Sequence, residues 1–586
     1  MNNITKRRSL FLVVFFSFFI QNLQAQPINF SWAKRIGDIG FDHCNNICMD
    51  ASGNILSTGY FEYTVDFDPG GGTANLTASN WDIFITKMDA SGNLLWAKKM
   101  GGPLIDIGCS ITTDASENIY ITGRFSDTAD FDPGPGTFKM HTEFANSFEG
   151  FIVKLNSSGG FVWAKKFRQS DSGFYNTIFP YSIKTDKNGN IYSCGYFGET
   201  YDFDPGPDSL ILSAAPDKKY DMYFSKLDSA GNFVWAKRVG GSFYDIPYAL
   251  TVDDMGNLYA TGYFQDIVDF DPGPAVFIMT APIADGNAFI LKLNSAGDFI
   301  FAKQLNSTSS SLGSSITTDA KSNIYNIGIF YSNIDMDPGP GTTAFSSVNN
   351  TYDMYLSKLD SAGNLVFAKQ ILKGNGNSWS SDINSMALDS SGNIYVTGVF
   401  NGTADFNPGV DSFKLTSVSN RDIFFSKMDS NGNFILANRI GGTDIEYSTS
   451  LIVSPSRDIY ISGYFKGTTD FNPGSGTNNL VSSGGSEDIF ILKLNQSVST
   501  GLMKYENLAT FTVYPNPSSN RFFIRLDNNY YDIQLKIYDI NGKEVYVAEY
   551  DEGYLLEVEL KEAPGMYFLS VMTRNKQGLV KLIKSQ

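Results

Sequence analysis

The chain has 586 residues, 44 of them basic and 61 acidic, with two histidines and four cysteines, for a formal net charge of −17. Hydrophobic residues make up 42% and aromatic residues 14%, which excludes a disordered polyampholyte. So acidic a body repels phosphate and argues against a nucleic-acid binder, and so few cysteines and histidines argue against a disulfide scaffold or repeated zinc sites.

At the N-terminus Lys6, Arg7 and Arg8 precede an apolar run over 10–20, and Leu23-Gln24-Ala25 offers a cleavage point. This pattern predicts a secretory signal over 1–25. The run is short of the roughly 20 residues a membrane span needs, and no other segment is long and apolar enough. No cysteine follows the cut, which argues against a lipid anchor. Cleavage removes three basic residues and no acid, leaving 41 basic and 61 acidic residues, a net −20.

Internal repeats organise most of the mature chain. The tag Asp-Phe-Asp-Pro-Gly begins at Asp66, Asp130, Asp202 and Asp269, with variants at Asp335, Asp405 and Asp470. These seven copies lie about 67 residues apart. A second tag, Asp-x-x-x-Asn-Ile-Tyr-x-x-Gly-x-Phe (as at 114–125), also occurs seven times. A third, Lys-Leu-Asp-x-x-Gly-Asn-x-x-Trp-Ala-Lys (as at 226–237), has six full copies. Segments such as 82–88, 94–100 and 118–125 are rich in β-branched and aromatic residues and predict strands. Asp-Ala-Ser-Gly-Asn (89–93) predicts a hairpin turn. With one more strand before the second tag, each unit has four strands, a to d.

Seven such units predict an all-β fold, a seven-bladed β-propeller over 26–496. The seventh unit stops after 488–495 without a fourth strand, and Phe-Ser-Trp-Ala-Lys-Arg (30–35) near the mature N-terminus has no unit of its own. The N-terminal strand therefore closes the ring. After a linker over 497–509, residues 510–586 hold several strand-like runs and a strong hairpin signal at Asn541-Gly542, which predict a small C-terminal β-sandwich.

The repeats resemble a bacterial β-propeller family whose units read Asp-x-x-Gly-Asn-x-Tyr-x-x-Gly, then Ala-Phe-x-x-Lys-Leu, then Gly-Gly, as at 114–123, 288–293 and 240–241. The resemblance implies a fold and an extracellular setting but no activity. The tail resembles the C-terminal sorting domain of the type IX secretion system of Bacteroidetes. Its matching residues are Tyr514, Pro515, Asn516 and Pro517, then Asn541 and Gly542, then Gly565 and Tyr567, then the basic end with Lys581 and Lys584. This resemblance implies secretion to, or display on, the outer surface of a Gram-negative bacterium, with the outer-membrane translocon as partner of 510–586.

The tail and linker together carry about −1, so about −19 belongs to the propeller, and the Asp-Phe-Asp-Pro-Gly tags supply twelve of its acids. Spacing locates them. The interval from Asp50 to Asp66 is 16 residues and from Lys87 to Trp96 is 9, and both are constant across the units. The b–c and d–a intervals vary, so length variation is confined to one face of the disc, where the tags also lie. Variable loops on a rigid scaffold are the usual seat of binding. Phe174, Tyr175, Phe179 and Trp379, in the two longest d–a connections, are the candidate ligand-binding residues. The tag acids Asp66, Asp68, Asp130, Asp132, Asp202, Asp204, Asp269, Asp271, Asp335, Asp337, Asp405 and Asp470 read first as turn formers. Their second reading is a calcium site, since paired carboxylates suit a hard cation.

Cys44, Cys48, Cys109 and Cys194 do not recur at one repeat position and read as buried thiols, with a Cys44–Cys109 bridge as the alternative. His43 and His141 read as surface or packing residues, and the common catalytic motifs are absent. The expectation is an exported, monomeric propeller that binds a glycan or protein. Two alternatives stand beside it: a polysaccharide-active hydrolase or lyase using carboxylates on the variable face, and a calcium-stabilised structural surface protein.

Overall fold

The computed structural model describes residues 28–145, 147–171, 177–215, 219–347, 351–374, 382–419, 421–496, 506–507, 511–539, 543–573 and 576–585. The signal segment thus lies outside the described residues, as does the linker apart from 506–507. The chain divides into two compact units, 1–497 and 498–586.

The first unit consists of seven four-stranded antiparallel blades. Blade 1 runs through strands a to d as His43–Met49, Ile55–Phe61, Asp82–Met88 and Leu94–Met100. The a strands of blades 2 to 6 are Asp106–Thr113, Ile178–Thr185, Ile246–Val252, Ser311–Thr318 and Asp382–Leu388. Blade 7 takes strands a to c from Glu446–Val453, Ile459–Phe465 and Asp488–Gln496. Its fourth strand is Ile28–Ile36, paired antiparallel to strand c from Ile28↔Gln496 to Ile36↔Ile489. The expected closure by the N-terminal strand is therefore the one observed.

Blade stacking explains the strand sequences. Strand c of blades 1, 3, 4 and 6 is buried at every position, because both sheet faces are covered by neighbouring blades. The outer d strands leave a bulky residue in water, as at Leu95, Val162, Val234, Ile300 and Val366. Each a strand packs on the a strand of the next blade around the ring, and blade 7 packs on blade 1.

The units are richer than four strands. The Asp-Phe-Asp-Pro-Gly tags sit in short hairpins between strands b and c, such as Thr64–Asp66 with Asn75–Thr77. In six places such a hairpin also meets strand d of the preceding blade or the residue after it, as in Arg168↔Asp202 and Asn306↔Asp335, and in the isolated bridges Gly101↔Asp130 and Gly240↔Asp269. Since d is the outermost strand, the tags lie at the rim of the disc.

Beneath the same face run pairs of buried acids. The start of strand c carries Asp82, Asp221, Asp422 or Asp488, bound to Lys99, Arg238, Arg439 or Arg35 of strand d. The start of the next blade's strand a carries Asp106, Asp245, Glu446 or Asp42, each fully buried. A side chain on Gly101 would come within 2.6 Å of Asp82 and 3.0 Å of Asp106, so only glycine passes between them. Burial raises the pKa of Asp42 to about 7 and those of Asp106 and Glu446 to about 8, and raises Asp245 well above the carboxylate range.

These acids bind protons more tightly folded than unfolded. Their stabilisation is complete below the unfolded carboxylate pKa and is lost as pH rises through about 7 to 8. The turn acids Asp114, Asp253 and Asp389 have lowered pKa values, with hydrogen bonds outweighing burial, and act oppositely below about pH 4. Calorimetry should therefore show Tm rising as pH falls from about 8 to about 5, a gain on the order of a few kcal/mol. The Asp106→Asn variant should reduce that slope.

Candidate binding site at the channel mouth

Every a strand carries one β-bulge at the same place. The register shifts fall at Asn45, Cys109, Tyr181, Tyr248, Ser314, Asn384 and Thr449. A bulge re-aims its side chain and leaves the rest of the ladder intact. All seven residues line a central cavity of about 720 Å³, within the usual range of ligand sites.

The two sides of this channel differ. On one side Asn384 donates to the Ser448 carbonyl, Thr449 to the Cys44 carbonyl (2.7 Å) and Asn45 to the Gly108 carbonyl (2.8 Å), each reaching the next blade. On the other side the bulge residues are Tyr181 and Tyr248, in edge contact at 5.2 Å between ring centroids.

Those two tyrosines belong to an arc of seven rings. From Tyr244 the centroid separations are 5.3 Å to Tyr220, 4.6 Å on to Tyr196 and 5.8 Å to Phe179. They continue 4.7 Å to Tyr181, then to Tyr248, and 6.0 Å to Tyr263. All seven rings are half-buried. They come from the starts of a strands, the ends of b strands and the segments just before strands a and c, so they lie on the variable face, and three of them, Phe179, Tyr181 and Tyr248, line the channel. The Arg124 guanidinium lies between Phe148 and Phe179, 4.4 and 4.5 Å from the ring centres. Burial raises the Tyr181 and Tyr196 hydroxyls above the ordinary phenol range and Tyr263 to about 12, so these remain neutral hydrogen-bonding groups.

A second group of rings lies on blades 7 and 1. His43 stacks on Tyr464 at 3.8 Å, and Tyr60 stacks on Trp81 at 4.6 Å. Both His43 nitrogens are engaged, Nδ1 with the Tyr60 hydroxyl (2.8 Å) and Nε2 with Glu487 (2.6 Å). His43 is thus a packing residue at the hub of this group.

Of the ligand-binding residues expected from sequence, Phe179 stands in the arc, while Phe174, Tyr175 and Trp379 lie outside the described residues. The other rings of the arc carry no signal in the sequence, because they belong to strand ends rather than to long loops. The four cysteines are free thiols, with no bridge between Cys44 and Cys109. Burial pushes Cys44, Cys48 and Cys109 up to about 12.

The tag acids do not line the channel. In all seven copies the first Asp accepts backbone amides two and eight residues later, as Asp130 does from Asp132 (3.1 Å) and Phe138 (2.9 Å). The second-position oxygen accepts the glycine amide two residues on, from Asp68, Asp132, Asp204, Asp271 and Asp337, and equally from Asn407 and Asn472. Among the described residues no group of three His, Cys, Asp or Glu side chains is gathered as a metal site.

The second unit is built on the long bent hairpin Arg521–Tyr538 and Glu544–Glu559, flanked by Phe511–Tyr514, Gly565–Met572 and Lys576–Lys584. Its core includes Phe522, Ile524, Leu535, Ile537, Val558, Leu569 and Leu582. The spaced tail motifs meet here. Asn516 donates to the Lys581 carbonyl (2.7 Å) and accepts from the Ile583 amide (2.8 Å), which ties the Tyr514–Pro517 segment to the terminal strand. Tyr567, near Gly565, is buried and donates to the Ala563 carbonyl. Lys584 is buried and binds the Leu560 and Glu562 carbonyls, whereas Lys581 is exposed. Asn541 and Gly542 lie outside the described residues.

Residues 512–585 match the family model of the secretion system C-terminal sorting domain. This segment is a type IX sorting domain of the Bacteroidetes type. It marks the protein for export and for a cell-surface or secreted location. Residues 234–263 match the model of a β-propeller repeat. The chain is also similar to an uncharacterised WD repeat-containing protein of Acanthamoeba polyphaga mimivirus, 24% identical over 513 residues. That alignment covers 74% of this chain and 36% of the relative, so the chain spans about a third of its length. Among solved structures, a protein of unknown function from Bacteroides caccae aligns at 11% identity over 57% of this chain and 92% of its own, with a TM-score of 0.27. The plexin A4 extracellular region aligns at 8% identity over 82% and 61%, with a TM-score of 0.30. Among the described residues no helix is long and apolar enough to cross a membrane.

The hydrogen bonding of the tags leads to a direct test. Asp130→Ala strips two amides of their acceptor and should cost about 1–2 kcal/mol, while Asp130→Asn should cost less than about 1 kcal/mol. Both are read from denaturant melts. Chelator should leave Tm unchanged, and a chelator-dependent fall would assign calcium to the tags.

Proposed function

We propose that the propeller is an extracellular glycan-binding module, with the sorting domain as its delivery device. The observation that carries this reading is the arc from Tyr244 to Tyr263, seven half-buried rings in contact on the variable face, three of which line the channel. Tyrosine offers a broad apolar face and a polar tip, at little entropic cost because its ring has few rotatable bonds. Sugar rings present the matching combination, apolar C–H faces edged by hydroxyls. The bulges support the reading, because they set channel residues free to vary while the blades stay alike.

A glycan array probed with the mature chain tests it. Tyr196→Ala and Tyr220→Ala should each weaken binding about fivefold to tenfold, or about 1–1.4 kcal/mol, with little change in Tm. Absence of binding across neutral and acidic glycans would overturn the reading. Separately, deletion of 510–586 should leave the propeller in the cell fraction, and normal surface delivery of that truncation would remove the role given to the tail.

A further inference from the structure

Among the described residues the channel wall contains no Asp or Glu, and its one charged residue is Lys184. This is unexpected in a propeller with an excess of about 19 acids. Lys184 lies near the end of strand a of blade 3, three residues beyond the bulged Tyr181. Its exposure is to the channel, and it has no carboxylate in ion-pair range among the described residues. The protein around it desolvates the ammonium and lowers its pKa, a shift that Cys48 only partly opposes. An unpaired ammonium in such a place costs stability, so a ligand that supplies the counter-charge gains correspondingly.

The rest of the wall suits a polyhydroxylated ligand. Ser182 and Thr251 supply neutral donors and acceptors in the same wall as Lys184, and Phe179, Tyr181 and Tyr248 lead from the arc into the cavity. A cavity of about 720 Å³ has room for more than one sugar ring.

We propose that the channel takes the carboxylate of an acidic sugar, with Lys184 as its counter-ion and the tyrosine arc holding the neighbouring rings. This rests on the glycan reading and adds to it a ligand class, a uronic-acid-bearing glycan entering acid end first.

The test compares two probes by calorimetry on the mature chain: a glucuronate-terminated trisaccharide and its glucose-terminated counterpart. The wild type should bind the acidic probe at least tenfold more tightly. Lys184→Met should abolish that preference and leave the neutral probe's affinity within about twofold, while Lys184→Arg should retain a preference. Met replaces a desolvated cation by an apolar chain of similar length, so the variant should fold with an unchanged or higher Tm. Persistence of the preference in Lys184→Met, or no preference in the wild type, would overturn the proposal. Tyr196→Ala separates the two readings. It should weaken both probes alike, and if it weakens neither while Lys184→Met still removes the preference, the arc reading fails and the channel reading stands.

Discussion

The structure depends on each blade gripping the next, because no covalent bond closes the ring. The recurring grip is the lysine of strand c. Its chain lies across the tyrosine of its own strand b, 4.8 Å from the ring centre for Lys226 over Tyr192 and 4.9 Å for Lys292 over Tyr259. Its ammonium then reaches the c–d turn of the following blade, from Lys154 to Ser229, Lys226 to Ser295 and Lys292 to Ser361. Lys493 of blade 7 does the same to Ala90 of blade 1 at 3.1 Å. That last contact makes the series circular. Blade 7 has no c–d turn to offer blade 6, and Lys427 binds the Gln496 side chain at 2.8 Å instead. The substitution shows what is required: an oxygen at that point, whichever residue supplies it.

Closure creates the channel, and the bulges decide what faces it. In a plain strand, a residue turned into the channel would be bound to the alternation of its neighbours. The bulge separates that one position from the ladder. The adjoining positions keep a fixed task, with Asn46 accepting from Ile111, Ser110 from Ile183 and Ser385 from Leu451, each across a blade boundary. The bulged positions range from Asn and Thr to Cys and Tyr without disturbing these bonds. The positions open to a binding role in this fold are therefore those that the repeat does not constrain.

This division explains what the sequence makes legible. The blade count, the Asp-x-x-Gly-Asn turns and the N-terminal closing strand all express the repeat, and repetition is visible without coordinates. The hairpins around the tags are three or four residues a side, too short to register against strong turn chemistry. The bulges leave no local mark, since a bulge is a relation between paired strands. Tyr196 resembles any tyrosine of its tag, and only its approach to Tyr220 and Phe179 distinguishes it. Lys184 likewise reads as a polar strand-end residue until closure places it in a wall without acids. The cores of both units are legible from apolar pattern; the candidate site comes from exceptions to the pattern, drawn together from distant parts of the chain.

The charge then has a different meaning from the one the composition invites. Twelve tag acids lie at the rim, and their inward oxygens are occupied by backbone amides. Screening limits their reach to about 8–10 Å at physiological salt, so the acidic rim and the lone ammonium of the channel act on different regions. An anionic ligand gains nothing from long-range attraction to such a disc. In the proposed binding mode, capture would begin with short-range contact, which the neutral rings of the arc can make without regard to charge. Charge would be read only afterwards, inside the channel, where the medium is less polar and a single ammonium counts for more than it does in water. On that proposal the arc and the lysine are not interchangeable: the first would govern whether a chain is held, the second which end of it enters.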